Sequence, residues 1–156
     1  MKRVHREITI AAPPAAVFAL LADVANYKLF FVGLTRWEPI TPEPFGVGSR
    51  IKVLQRAGSI AVGGVVRVTA VETDRFLAWE SESGLRQRGQ WSLEAVGGGT
   101  RLTLQLEAHL SGGLAGKIAE YLSAKTFSRY MEATLLAVKR IVEHEIFRDA
   151  IGGAGE

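Results

Sequence analysis

Cysteine is absent from this 156-residue chain, which excludes a disulfide framework and any thiolate-bound metal. Histidine is scarce. His5, His109 and His144 fall in separate elements, none with a second ligand at close helical spacing, so no metal centre is expected. No stretch reaches the roughly 18 uncharged apolar residues that a membrane-crossing helix requires. The opening MKRVHREITI has basic residues without a continuous apolar segment after them, and no signal peptide is expected. Excess charge is missing as well. The 19 lysines and arginines against 16 acidic residues leave +3, and they are dispersed among glutamates, which argues against a nucleic-acid-binding tail. These absences lead to the expectation of a cytoplasmic protein with no cofactor, no metal and no nucleic-acid partner.

What the chain does have is apolar patterning. Hydrophobic residues make up 47%, enough to build the core of one domain. Over residues 4–10, Val4, Ile8 and Ile10 alternate with His5, Glu7 and Thr9, which reads as a first strand. Pro13 and Pro14 precede a short amphipathic helix over 15–24, with Val17, Phe18, Leu20 and Leu21 apolar. Proline is tolerated in a first helical turn, where its missing N–H would be unpaired anyway. A second short helix or turn covers 27–32. Its adjacent Phe30 and Phe31 are expected to diverge, one into the core and one into a pocket. Strands follow over 35–40, 49–57, 60–71, 76–83, 87–95 and 100–110, between turns rich in glycine and proline. Pro39 marks the first of these as an edge. Tight connections imply antiparallel pairing. Gly63 and Gly64, in mid-strand, predict a bulge or a sharp bend. Residues 1–147 read as a single domain, and 148–156 as a flexible C-terminal tail.

The last helical stretch, 113–145, organises the rest. Phe127, Tyr130, Met131, Thr134, Leu135, Val138, Ile141 and Val142 recur at spacings of three and four and form one stripe. Leu114, Ile118, Tyr121 and Leu122 point nearly the opposite way at about 100° per residue. That change of phase predicts a kink or break near 122–126. The first segment then either caps the open end of the sheet or serves as a mobile flap, with transient membrane contact through 114–122 a further reading. A sheet with one apolar face and a helix with one apolar stripe must cover each other.

Chemistry-bearing motifs are few. The stretch from Gly112 to Ile118 is one residue short of a phosphate loop, and Ile118 stands where a hydroxyl is required. No GxSxG elbow is present. Glu80 and Glu82 share a strand face opposite Leu77 and Trp79, so they should face solvent. The aromatic set of Phe30, Phe31, Trp37, Trp79, Trp91, Phe127 and Tyr130 either fills the core or lines a ligand cavity. Gln55, Ser81, Ser83 and Gln87 share parity with core residues. Polar groups facing a core need partners, and a pocket holding water or ligand supplies them.

Several stretches resemble one known family. They are ITIAAP at 8–13 followed by VFALLAD at 17–23, FGVGSR at 45–50, GTRLT at 99–103 and LAVKRIVE at 136–143. Over about residues 3–145 the chain resembles the START-like, helix-grip domains of the SRPBCC superfamily, in the bacterial polyketide cyclase/dehydrase and lipid-transport group. DVANY at 23–27 with Phe30 is similar also to the coenzyme Q-binding branch. The resemblance implies an α+β fold in which a seven-stranded curved antiparallel sheet wraps a long C-terminal helix, with two short helices between strands 1 and 2.

The resemblance further implies an apolar ligand held between sheet and helix, a lipid, polyketide or quinone-like molecule. The candidate ligand-binding residues are Phe30, Phe31 and Trp37, then Val53, Gln55, Trp79, Ser81, Trp91 and Leu104 on the strands, then Phe127, Tyr130, Met131 and Thr134 on the helix. No catalytic residue can be carried over. A pocket of about 300 Å³ is the size such ligands need, with micromolar affinity expected. Two alternatives stay open. One is a polyketide cyclase or dehydratase using Arg88, Tyr130 and Ser81, provided a bulge at Gly89 turns Arg88 inward. The other is a partner-binding regulator that uses a basic strand face of Arg50, Lys52 and Arg56. A monomer or weak homodimer is expected.

Overall fold

The computed structural model describes residues 2–23, 26–42, 44–57, 60–84, 86–109 and 124–154. Strand β1 (Lys2–Ile10) is followed by helices α1 (Pro14–Ala22) and α2 (Tyr27–Phe30). Strands β2 (Leu34–Pro39), β3 (Arg50–Ala57), β4 (Ile60–Glu72), β5 (Phe76–Ser81), β6 (Gln87–Val96) and β7 (Gly99–Ala108) come next. Helix α3 (Ala124–Ala154) closes the order. The strands form one sheet in the order β1-β7-β6-β5-β4-β3-β2, and every pair is antiparallel. Six consecutive strands thus pair by simple reversal, and β1 joins β7 across the whole chain. This is the helix-grip architecture.

Alternation decides the faces. On β7, Leu102 and Leu104 are fully buried and Leu106 nearly so. Trp91 and Leu93 on β6 and Leu77 on β5 continue that face. Helix α3 answers with Met131, Thr134, Leu135, Val138 and Val142, all buried, at the spacing of a single helical stripe. The Phe127 side chain and the 114–122 segment lie outside the described residues; of the break expected near 122–126, residues 122–123 do as well, and 124–126 are helical. The backbone remains helical to Ala154, where the sequence led to the expectation of a flexible tail from 148.

The two sheet edges are treated differently. Edge strand β2 ends in Pro39, which donates no N–H and so suits an edge. Edge strand β1 is covered by α3. Lys139 Nζ donates to the Thr9 carbonyl at 2.9 Å, and Arg6 donates to Ser128 Oγ at 2.8 Å. Glu143 accepts from the Ala11 N–H at 2.9 Å and from Lys139 at 2.7 Å. Two of these bonds occupy the Thr9 carbonyl and the Ala11 N–H, backbone groups at the edge that would otherwise be open to another strand.

The bulge expected at Gly63 and Gly64 is absent from the pairing. β3 and β4 stay in register through Leu54↔Gly63 and Val53↔Gly64. The shifts in pairing fall between Val68 and Ala70 on β4 and between Leu34 and Arg36 on β2. Gly64 is needed for a different reason. A Cβ there would lie 2.0 Å from the Ser83 carbonyl oxygen, and one on Gly84 would lie 1.9 Å from that of Gly63. The paired glycines let two backbones touch.

Candidate functional site

The buried side chains form two clusters. The larger is built by α1, α2, α3, β1, β7, β6 and Leu77 of β5. The smaller is Ile51, Val53, Val66 and Val68 on β3 and β4. Leu34, Trp37, Phe45, Val71 and Trp79 pack against both. The seam between the clusters is therefore bridged largely by aromatic rings, which are stiff and leave gaps where their edges meet.

α2 supplies the centre of this seam. Tyr27, Phe30 and Phe31 stand three and four residues apart, so they share a face. Tyr27 stacks on Trp37 with ring centroids 4.3 Å apart and planes 7° from parallel. Phe30 and Phe31 both meet Trp91 edge-on, at 6.4 and 6.3 Å. Phe30 is buried in the core. The backbone turns extended at Phe31, whose ring faces the seam instead. Helix α3 holds this connector by a bond from the Val32 N–H to Thr134 Oγ1 at 3.0 Å.

A cavity of 20 Å³ lies in the seam, lined by Tyr27, Phe31, Leu34, Trp37, Val53, Gln55, Val66, Trp79, Gln87 and Leu106. That volume holds about one water molecule. It is smaller than the pocket of about 300 Å³ expected from the sequence, and among the described residues the rings of Tyr27, Phe31, Trp37 and Trp79 line it. Gly89 leaves room for one of these rings: a Cβ there would lie 2.3 Å from Trp79 Cζ2 and 2.6 Å from Leu106 Cδ2. The indole occupies the space that a side chain at residue 89 would need.

Of the residues singled out from the sequence, Phe31, Trp37, Val53, Gln55 and Trp79 meet at this cavity. Trp91 and Leu104 have no accessible surface, so no void reaches them. Phe30, Met131 and Thr134 are packed in the core, and Thr134 Oγ1 accepts from the Val32 N–H. Tyr130 is half-buried. Ser81 Oγ accepts from the Gln87 N–H at 2.9 Å and extends the β5–β6 pairing by one step. Ser83 is exposed and accepts from the Val65 N–H. Gln87 joins the cavity lining, as its parity with core residues implied, whereas Tyr27, Leu34, Val66 and Leu106 were not singled out. The spacing of Tyr27 from Phe31 and the parity of Leu106 with Leu104 were the signals available.

The cavity is poor in ionisable groups. Among the described residues, Tyr27 alone of its lining can titrate. Burial pushes its phenol well above the usual range, weakly opposed by the indole N–H of Trp91. That N–H does not reach hydrogen-bond geometry: Trp91 Nε1 and Trp37 Nε1 are buried without an acceptor. A buried donor left unpaired costs about 1–3 kcal/mol.

Arg88 points away from the cavity. β6 keeps regular pairing through Arg88, Gly89 and Gln90 on both sides, so the bulge needed to turn Arg88 inward is absent there. Its Nε donates to Glu107 Oε2 at 2.7 Å, and Arg3 Nε donates to Oε1 at 2.5 Å. Glu107 lies directly opposite both arginines in the sheet register. It sits on the outward face as its parity requires, yet its side chain is only 4% exposed because the guanidinium groups cover it. The hydrogen bond from Arg88 holds its carboxyl below the usual carboxylate range, with Arg3 adding to the effect. The basic stripe of β3 is partly paired. Arg50 pairs with Glu82 at 2.8 Å, and Lys52 stands opposite Glu38.

Residues 1–143 match the family model described as polyketide cyclase / dehydrase and lipid transport. The chain belongs to this family. A START superfamily protein from Mycobacterium smegmatis has the same fold, with TM-score 0.71 at 14% identity over 89% of this chain and 98% of that one. The Zhui aromatase/cyclase from Streptomyces sp. R1128 aligns with TM-score 0.73 at 20% identity, over 93% and 95% of the two chains. By sequence, an uncharacterized protein of Mycobacterium tuberculosis (strain ATCC 25618 / H37Rv) is 29% identical over 138 residues, 85% of this chain. The chain spans 61% of that relative's length. Among the described residues, no helix is long and apolar enough to cross a membrane.

Proposed function

We infer that this domain binds a small apolar ligand, of the lipid, polyketide or quinone kind, between the sheet and α3, and that it acts as a binder or carrier. The observation carrying this reading is the seam itself. Aromatic rings from α2, β2 and β5 meet there around a residual void, with two glutamines and Tyr27 facing it and two indole N–H groups unpaired close by. A core optimised only for stability would fill such a gap with aliphatic side chains and pair its donors.

The smallness of the void supports a seam that closes without ligand. At about 24 cal/mol per Å³ the cavity costs only about 0.5 kcal/mol, whereas a permanently open pocket of about 300 Å³ would cost on the order of 7 kcal/mol. Ligand entry then displaces rings such as Phe31 and Trp37. Apolar area buried on the ligand offsets that displacement, leaving micromolar affinity. A cyclase or dehydratase reading finds less support. Proton transfer needs a group that titrates near the working pH, and the phenol of Tyr27 is held neutral.

Native mass spectrometry of freshly purified protein tests the proposal, paired with a binding panel of lipids, polyketides and quinones. Copurified or added apolar ligand bound one to one is the expected result. No bound species from either source would overturn it.

A further inference from the structure

A second space lies where β5 ends and β6 begins. It is a groove of about 250 Å³ lined by Glu80, Ser81, Arg86, Gln87, Arg88 and His109. Gln87 also lines the cavity in the seam, so the two spaces share a wall at this residue. Their chemistry is opposite. The seam is apolar and aromatic. The groove carries two arginines and a histidine against a single carboxylate.

The donors in this groove are not equally committed. Arg88 is engaged through its Nε with Glu107. Arg86 has no carboxylate partner among the described residues, and only its backbone carbonyl is occupied, by the His109 N–H at 2.9 Å. Ser81 Oγ accepts from the Gln87 N–H, which leaves the hydroxyl proton free to donate. An oxygen-bearing anion placed here meets a planar guanidinium and a hydroxyl, the donor set suited to a carboxylate or phosphate.

We propose that the groove at Arg86 binds the anionic head of an amphiphile whose apolar tail enters the seam past Gln87. This rests on the apolar-ligand reading above and specifies the ligand class: an acidic head on a hydrocarbon chain. Arg86 is the specificity-determining residue. Arg88 is unsuited to test the idea, because replacing it would also strip Glu107 of a partner.

Isothermal titration of the full chain with decanoate, decyl phosphate and methyl decanoate separates the possibilities. At least one anionic amphiphile is expected to bind about tenfold more tightly than the neutral ester, as a charge-assisted hydrogen bond allows, and the tighter acid identifies the head group. Arg86→Gln should remove that preference while leaving ester binding unchanged, and Arg86→Lys should keep part of it. Equal binding of acids and ester, or a preference that survives Arg86→Gln, overturns the head-group assignment alone. Failure of all three compounds to bind overturns the underlying apolar-ligand reading with it.

Discussion

Glu107 shows how a parity rule can place a side chain correctly and still mislead about its surroundings. Alternation along β7 puts it outward, but its two cross-strand neighbours are arginines, and they close over it. Cross-strand pairing, not sequence-adjacent charge, sets its environment. Folding lowers the carboxyl pKa, so its stabilising contribution is complete above the unfolded carboxylate value of about 4.3. It is lost as pH falls through the lower folded value. Glu107→Gln is therefore expected to be less stable than the parent at pH 7, with the gap narrowing on acidification. Urea unfolding at a series of pH values checks this, and a gap that stays constant would refute it. Gly89 is the counterpart inside the sheet. Gly89→Ala forces Trp79 off the strand, with an expected cost of about 1–3 kcal/mol and altered tryptophan emission. An unchanged midpoint and spectrum would mean that the indole position is not set by Gly89.

Among the elements, α3 was the most legible. Its apolar stripe repeats at helical spacing over several turns, and Met131, Leu135, Val138 and Val142 are buried as that spacing requires. The strands were legible for the same reason at period two. The role of Gly63 and Gly64 was not, because a glycine pair expected to mark a bulge or a sharp bend can equally serve a close approach of two backbones, and local sequence does not distinguish them. Only the position of Ser83 and Gly84 decides for close approach. The clasp between α2 and α3 was also hidden, since nothing near Thr134 announces that its hydroxyl meets Val32, 102 residues away. Thr134→Val keeps the shape and removes the acceptor. It is expected to destabilise the fold by about 1–2 kcal/mol and to speed hydrogen exchange at the Val32 amide. Unchanged exchange there would show that the bond contributes nothing to holding α2.

For the molecule as a whole, binding and stability should be linked. A ligand that enters the seam binds the folded chain alone, so at about 100 times its Kd it should add roughly 2.7 kcal/mol and raise Tm accordingly. Trp37 and Trp79 line the seam, and Trp79 in turn lies 6.4 Å from Trp91, so the same titration should shift tryptophan emission. Stabilisation without any spectral change would place the ligand elsewhere. The sequence by itself determined the element order, the faces, the antiparallel meander and the helix stripe, because periodicity and turn chemistry are local properties. Only the tertiary structure decided how large the enclosed space is, which aromatic rings line it and where Arg88 points. Those depend on side chains from distant strands competing for one volume, and no local pattern records the outcome of that competition.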